Sequence, residues 1–365
     1  MLDAQKPYLR DGIDVYLADN DTLIFVYLAT RKRVSLKIDP SLFSVLPLLD
    51  GTRNIHEVYA HIIESGASIS LENVQKFVSF LQSKAIVIDR AWLKGKLTNQ
   101  EILMFERTLN FFLDVEGSER AAINLFKAIT NTKICIFGVG AVGSWIFFEL
   151  LRLGFKKFVL VDPATLEDTD IARFAYFDAN KIGQPKIDIC RERAAGFSKD
   201  IHVELICDAL DFNTDVAKFI PTDVDILVNC ADEPYIGSTN IKLSRYVIKN
   251  NKALIAAGGF DAHLGSLSET IVHNLTPCAD CYANFFDESL KDWKPIKHPI
   301  SERSFAFGGL SSLAVFAAAN ATLKILNYIK NDTESWKGGR GELVFQNYSI
   351  DKFEVLKDPN CRVCS

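Results

Sequence analysis

Three glycines, four charged side chains and four cysteines carry most of the chemistry this sequence offers. Gly138, Gly140 and Gly143 form a GxGxxG turn in KICIFGVGAVGSWIFFELL, directly after an apolar run and directly before a helical pattern. There the first glycine permits a tight turn. The second lets backbone amides approach a phosphate, and the third allows close packing of helix on sheet. A helix N-terminus at this point adds partial positive charge for phosphates. Asp162 closes the next apolar run, KFVLVD, where a carboxylate accepts hydrogen bonds from ribose hydroxyls. A nucleotide is the predicted ligand. On these residues alone NAD and ATP compete, with NAD favoured.

The residues that follow reverse that preference. Arg173 ends the acidic segment TLEDTDIAR, Lys186 follows the turn IGQP, and Asp232 follows the apolar run DILVNC. Ligands of open α/β sheets bind at the carboxyl ends of strands, and all three side chains fall where loops leave those ends. Two cations and a carboxylate beside a phosphate loop suit a triphosphate with Mg²⁺. The cations neutralise charge developing on pyrophosphate and the carboxylate holds the metal. Taken singly, Arg173 and Lys186 also read as solvated surface charges; their order and spacing weigh against that.

Cys278 and Cys281 form one CxxC, Cys361 and Cys364 another. Each CxxC turn points two sulfurs at one ion, so the two together predict a tetrahedral four-thiolate Zn²⁺ site, structural rather than catalytic. Such a site would staple the C-terminal tail to the body of the fold. A redox CxxC pair or unrelated cysteines are the other readings. Cys135, Cys190, Cys207 and Cys230 stand among apolar neighbours and read as small core residues.

The elements that must position these groups follow from hydrophobic period. From Lys133 onward, strand patterns (Lys133–Phe137, Lys157–Val161, His202–Ile206, Ile226–Asn229, Ala253–Ala257) alternate with helical ones (Ala141–Leu153, Pro185–Gly196, Thr214–Phe219, Tyr235–Lys249). This predicts an α/β fold with a mostly parallel, Rossmann-like sheet covered on both faces. Beyond it, Leu264–Asn274 and Leu343–Ser349 read as strands and Leu310–Ile329 as a helix. The N-terminal part predicts a small winged-helix-like α+β domain. Its strands are Ile13–Leu17, Leu23–Leu28 and Val34–Ile38. Helices follow at Ser41–Leu49, after a Thr52 cap and after a Ser70 cap, and a strand at Ala85–Ile88 closes it. The expected division is residues 1–92, a helical linker or dimerisation segment at 93–130, and a nucleotide domain at 131–365.

The 365 residues are 48% apolar and 24% charged, ordinary for a globular chain of two domains. A net charge of -5 argues against nucleic acid held by phosphate contacts. The segment MLDAQKPYLRDG lacks a signal-peptide core, and the polar Asn320, Thr322, Lys324 and Asn327 make Leu310–Ile329 a core helix rather than a membrane span. No membrane partner and a cytoplasmic location are expected, where eight cysteines serve as ligands or buried thiols rather than disulfides.

GVGAVG, VDPATLEDTDIAR, IGQPK and NCADEP occur in that order, and with them the chain resembles the ThiF/MoeB/E1-like adenylating enzymes over about residues 100–365. The resemblance implies an E1-like adenylation domain that activates a carboxylate with ATP as an acyl-adenylate and releases pyrophosphate. It implies that Asp162 binds ribose, Arg173 and Lys186 contact phosphates, and Asp232 holds Mg²⁺. It also implies a homodimer in which Arg107, in MFERTLNFF, reaches the partner's site. Asp170 joins the nucleotide-binding set, at a position where the family usually has Asn. Phe174 replaces a usual Gln, and Met104 stands where a second arginine is common. The paired CxxC zinc site also fits this resemblance. Cys230 is the one nearby candidate for a thioester, so attack on the adenylate by another group of the substrate is expected instead.

Residues of about 8–90 resemble the PqqD-like peptide-recognition domain through LLDGTRNIHEVYAHI and LQSKAIVI. The third strand would offer its edge to an extended leader peptide, beside the helix Ser70–Lys84 with Lys76 and Phe80 as contacts. A DNA-binding winged helix or a dimerisation module is the other reading; the basic run Arg31–Arg33 is explained by a surface turn. The combination is similar to enzymes that mature ribosomally made peptide antibiotics of the microcin C and pantocin types. It implies leader-guided adenylation of a carboxylate, either a Glu or Asp side chain or the C-terminus, in a precursor peptide. Cyclisation by a peptide nucleophile is the preferred outcome, and C-terminal nucleotidylation through an N–P bond the alternative. An inert scaffold that delivers peptide to a partner enzyme and an NAD-dependent oxidoreductase complete the readings. Residues 258–263 and 301–309 are expected to line the acceptor pocket, with His263 and His298 as candidate bases.

Overall fold

Period-two burial builds the first part of the chain. In the computed structural model, which describes residues 5–211, 213–233, 235–257, 265–294, 309–336 and 340–364, β1 (Pro7–Leu9) precedes an antiparallel meander of β2 (Ile13–Asp19), β3 (Thr22–Tyr27) and β4 (Arg33–Lys37). Along β3, Leu23, Phe25 and Tyr27 turn inward. A 3₁₀ segment at Pro40–Leu48 follows, then α1 (Ile55–Glu64) and α2 (Leu71–Ser83). Asn54, not Thr52, caps α1. Its side chain accepts from the His56 and Glu57 amides while the Glu57 carboxylate accepts from the Asn54 amide. Thr52 instead donates its hydroxyl to Asp50 within the preceding turn. Ser70 caps α2, which buries Val74, Phe77, Val78 and Leu81. The closing strand β5 (Val87–Asp89) pairs with β1, whose three residues are too few to show a period in sequence.

A break at Gly117, which takes the left-handed conformation at the end of α3, separates α3 (Asn99–Glu116) from α4 (Glu119–Asn131). Arg10 ties α3 to the meander. Its guanidinium meets Asp114 at 2.6 Å and donates to the Ala85 and Asn110 carbonyls, and Arg10 itself is only 5% exposed. The chain accordingly divides into two compact units, Met1–Lys127 and Ala128–Ser365.

In the second unit the order is β6 (Lys133–Phe137), α5 (Ala141–Leu153), β7 (Lys157–Val161), α6 (Lys186–Phe197), β8 (His202–Ile206), β9 (Ile226–Asn229), α7 (Ile236–Asn250) and β10 (Ala253–Ala256). Then come β11 (Glu269–Val272), α8 (Ala279–Ser289), α9 (Ser311–Ile329), β12 (Arg340–Val344) and β13 (Ser349–Phe353). The sheet order is β11-β10-β9-β6-β7-β8; β6 to β10 run parallel and β11 antiparallel. The order reverses between β6 and β9, which opens a crevice at their carboxyl ends. Alanines 314, 317, 318 and 321 and Ile325 bury α9 on α5, although its length and composition would also pass for a membrane span.

Four local expectations change. Leu343–Ser349 is not one strand but the end of β12, the hairpin turn and the first residue of β13. The expected strand Leu264–Asn274, whose first residue lies outside the described ones, is split, because Gly265 and Leu267 bond β12 while Glu269–Val272 pairs with β10. Thr214–Phe219 shrinks to a 3₁₀ turn at Val216–Lys218. Cys207 is exposed rather than core, since it leaves β8 at the sheet edge. The expected acceptor segments 258–263 and 301–309, Gly309 excepted, lie outside the described residues, as do His263 and His298.

Candidate nucleotide site and cysteine centre

The glycine turn sits at the switch point between β6 and β9. Gly138 has φ +79°, and a Cβ there would lie 2.8 Å from backbone atoms of Cys230 and Ala231. A Cβ on Gly143 would stand 1.9 Å from the Gly138 carbonyl oxygen. These two positions are closed by protein. Gly140, at the N-cap of α5, is different. A Cβ there would meet no atom within 4 Å, so no protein group fills the space beside the N-cap of α5, and no side chain caps that helix. That is the geometry of an anion site. Asp162, 7% exposed, accepts from the Val139 amide at 2.6 Å and the Ala164 amide at 2.7 Å. It thereby fixes the glycine turn against the end of β7.

The chain after Asp162 doubles back on itself. The Leu166 amide donates to the Gln184 carbonyl, Gly183 to Leu166, and Lys186 to Ala164. Inside this closed loop a 3₁₀ turn (Asp168–Ala172) presents Asp170, whose carboxylate accepts from the Glu167 amide. The Lys186 ammonium, at the first residue of α6, meets the two Asp170 oxygens at 3.0 and 2.9 Å. Both residues are buried, at 9% and 5% exposure. The Phe174 ring, also buried, lies 6.0 Å from the ammonium and packs edge-on to Tyr176. Arg173 ends the 3₁₀ turn with its side chain exposed. Its carbonyl accepts from the Trp145 indole at 2.9 Å, and the Ser144 hydroxyl accepts from the Ala175 amide at 3.1 Å. Two α5 side chains therefore set the backbone that carries Arg173.

Asp232 lies exposed on the loop after β9. A buried amide holds that loop. Asn229 donates to Thr239 and Asn240 at 2.8 and 2.7 Å and accepts from the Ala231 amide, while the Thr239 hydroxyl donates to the Ala231 carbonyl. Burial pushes the Cys230 thiol up, and the charges of Asp232 and Asp162 push it further, so it stays protonated. Burial also raises the Cys190 thiol, with the charge of Asp162 adding to the rise and that of Lys186 opposing it.

Of the residues singled out in sequence, Gly138, Gly140, Gly143 and Asp162 share one turn, Lys186 and Asp170 form one ion pair, and Asp232 leaves the strand against which Gly138 packs. Arg107 and Met104 are exposed on α3 of the first unit. Ser144, Trp145, Asn229 and Thr239 escaped the sequence reading. The visible signals are a hydroxyl and an indole straight after GxG-turn glycines, and an Asn closing an otherwise apolar strand.

The four paired cysteines converge. Their sulfurs all lie within 4.8 Å of one another, with 3.8 Å between Cys278 and Cys281, 3.6 Å between Cys278 and Cys361, and 3.5 Å between Cys281 and Cys364. Thiolates bound to one tetrahedral Zn²⁺ stand roughly 3.8 Å apart, so the donor set and spacing fit that ion. Cys278 caps α8 and the cluster continues the hydrophobic core under β10 and β11. The Asp358 amide donates to Cys281 Sγ, Asn284 donates to Asp358, and Arg245 clamps Asp280 in three bonds.

The sequence profile described as the ThiF family matches residues 109–363. Among curated proteins the chain is similar to the adenylyltransferase and sulfurtransferase UBA4 of Candida albicans, 23% identical over 247 residues that cover 65% of this chain and 51% of that one. It is similar to protein HesA of Leptolyngbya boryana, 26% identical over 274 residues, 73% of this chain and 87% of HesA. The chain spans only 34% of the UBA4 protein of Vanderwaltozyma polyspora. In fold it is similar to E. coli MccB crystallised with ATP, with a TM-score of 0.70, 16% identity and 98% and 99% of the two chains covered. PaaA gives a TM-score of 0.71 at 17% identity, over 96% of this chain and all of that one (100%).

Proposed function

The chain belongs to the ThiF family, and from that membership we propose that it is an ATP- and Mg²⁺-dependent adenylating enzyme acting on a carboxylate of a ribosomally made precursor peptide. The observation that carries this reading is the crevice between β6 and β9. The start of α5 opens beside it, Asp232 is exposed just past β9, and the buried Lys186 is tied through its amide to Ala164 just past β7. A carboxylate oxygen of the peptide attacks the α-phosphorus of ATP, the bond to the bridging oxygen breaks, and pyrophosphate leaves. The amides at the start of α5 hold phosphate and Asp162 meets the ribose. Arg173 and Lys186 stabilise charge on the departing pyrophosphate. Asp232 is the residue to hold Mg²⁺, which when bound shields the phosphate charges. A nucleophile of the same peptide then attacks the acyl carbon, loses its proton, and AMP departs with its oxygen, closing a ring. The cysteine centre, with Zn²⁺ bound, supplies structure only.

The peptide part of the proposal rests on the first unit. Among the described residues the outer edge of β4 has no strand partner, as strand addition by an extended leader requires. Lys76 is exposed and Phe80 half-buried on α2. The likeness to MccB spans this unit too, and MccB has been crystallised with AMPCPP and MccA together. We place the reaction in the cytoplasm, where ATP is present and thiolates stay reduced, and in a homodimer. Arg107 stands in an exposed apolar stripe of α3, with Leu103, Phe111 and Val115 at four-residue spacing, as an interface between protomers would need.

With ATP, Mg²⁺ and the short peptides encoded beside this chain's gene, the protein is expected to release pyrophosphate. Lys186→Ala and Asp232→Ala each lower that release by about 10²-fold or more without loss of leader binding. Mass spectrometry distinguishes the products: loss of one water marks cyclisation, and a retained AMP moiety marks C-terminal nucleotidylation. Release that survives undiminished in both variants overturns the assignment. The pairing of Lys186 with Asp170 favours one second reading, a peptide-delivering scaffold with a neutralised phosphate site. Leader binding with no ATP binding in calorimetry would establish it.

A further inference from the structure

The Lys186 ammonium is not free. Its carboxylate partner is buried with it, touches it through both oxygens, and is itself anchored by the Glu167 amide. The loop that holds Asp170 is closed by backbone bonds between residues 164–166 and 183–186, which keep the backbones carrying carboxylate and ammonium together. The Phe174 ring fills one side of the ammonium with an apolar surface. A phosphate oxygen approaching Lys186 therefore meets a neutral ion pair, and the Asp170 charge repels it at short range through a poorly screened interior. Among these loop residues, Arg173 is the cation left exposed.

We propose that Asp170 is a positioning residue that clamps Lys186 and sets how firmly the site holds pyrophosphate. This rests on the adenylating reading above. The clamp keeps the ammonium pointed at the phosphate end before nucleotide arrives, at the cost of its net attraction. Pyrophosphate, whose binding rests wholly on contacts to phosphate oxygens, is weakened by this and leaves more readily. Replacing the carboxylate by the isosteric amide keeps an oxygen for both the Glu167 amide and the ammonium but removes the charge.

The test is calorimetric titration of the full chain with magnesium pyrophosphate, and separately with ATP, for wild type, Asp170→Asn, Lys186→Ala and the double variant. Asp170→Asn is expected to bind pyrophosphate about tenfold more tightly. In turnover it should show a lower KM for ATP together with a lower kcat, because product release slows. The gain must vanish when Lys186 is absent, so the double variant binds like Lys186→Ala alone. Asp170→Glu, which restores the charge, should return binding toward wild type. Unchanged or weaker pyrophosphate binding in Asp170→Asn overturns the clamp, as does a gain that persists without Lys186. A wild-type chain that binds neither ATP nor pyrophosphate overturns the adenylating reading itself, and the clamp with it.

Discussion

A glycine can be demanded by protein or by ligand, and Gly143 and Gly140 separate the two demands. A methyl group on Gly143 would overlap the Gly138 carbonyl, a backbone atom that cannot swing aside. Gly143→Ala is expected to cost at least about 3 kcal/mol of stability, read as a fall in Tm. Gly140→Ala meets nothing within 4 Å. It should cost less than about 1 kcal/mol yet weaken ATP binding, because the methyl group occupies the approach to the α5 amides. Equal stability losses in the two variants would show that the turn is built for packing alone. The sequence motif marks all three glycines alike; only the contacts show which of them leaves room. The same limit applies at Asp170 and Phe174. The sequence flags them as departures, but not that the carboxylate turns inward to Lys186, since a loop's spacing does not fix where its side chains point.

At the level of elements, strong periodicity is readable. The edges of β6, β7 and β9 and of α5 fall where the apolar pattern places them, because these strands are buried along their whole length or nearly so, and the alternating edge strand β8 keeps its bounds as well. The elements that depart from expectation are short or have their apolar residues recruited by something other than a core. The pattern CADCYANFFDES forms α8, yet its first turn is spent on two cysteines that face the other CxxC rather than on an apolar stripe. The β12–β13 turn merges in sequence with its flanking strands, because Phe345 and Tyr348 are aromatic and exposed at the bend itself. This dependence of α8 and the tail on sulfur makes a prediction. Cys361→Ser, or exhaustive chelation, should remove about 3–5 kcal/mol and lower Tm by roughly 10 °C, with one Zn²⁺ per chain lost by mass spectrometry. A tail that keeps its protease resistance after chelation would mean that the core contacts of Val363 and Val355, rather than a metal, hold it.

For the molecule as a whole, the open matter is whether one chain makes a complete site. Arg107 rides on α3, which the buried Arg10–Asp114 pair fastens within the first unit, while the glycine turn belongs to the second. In the proposed homodimer Arg107 serves the partner's site, which gives mixed dimers a signature that no single-chain arrangement shares. Arg107→Ala and Lys186→Ala homodimers should each be inactive. A heterodimer of the two has one site lacking both groups and one site with both intact. Random co-expression yields half heterodimers, so the mixture should recover about a quarter of wild-type pyrophosphate release. Single-chain action predicts no recovery at any mixing ratio, since every chain then lacks one of its own two cations. A mixture as inactive as its parents, with sedimentation showing dimers present, would overturn the exchange of Arg107 between protomers, whereas an Arg107→Ala homodimer with undiminished release would place Arg107 outside the reaction.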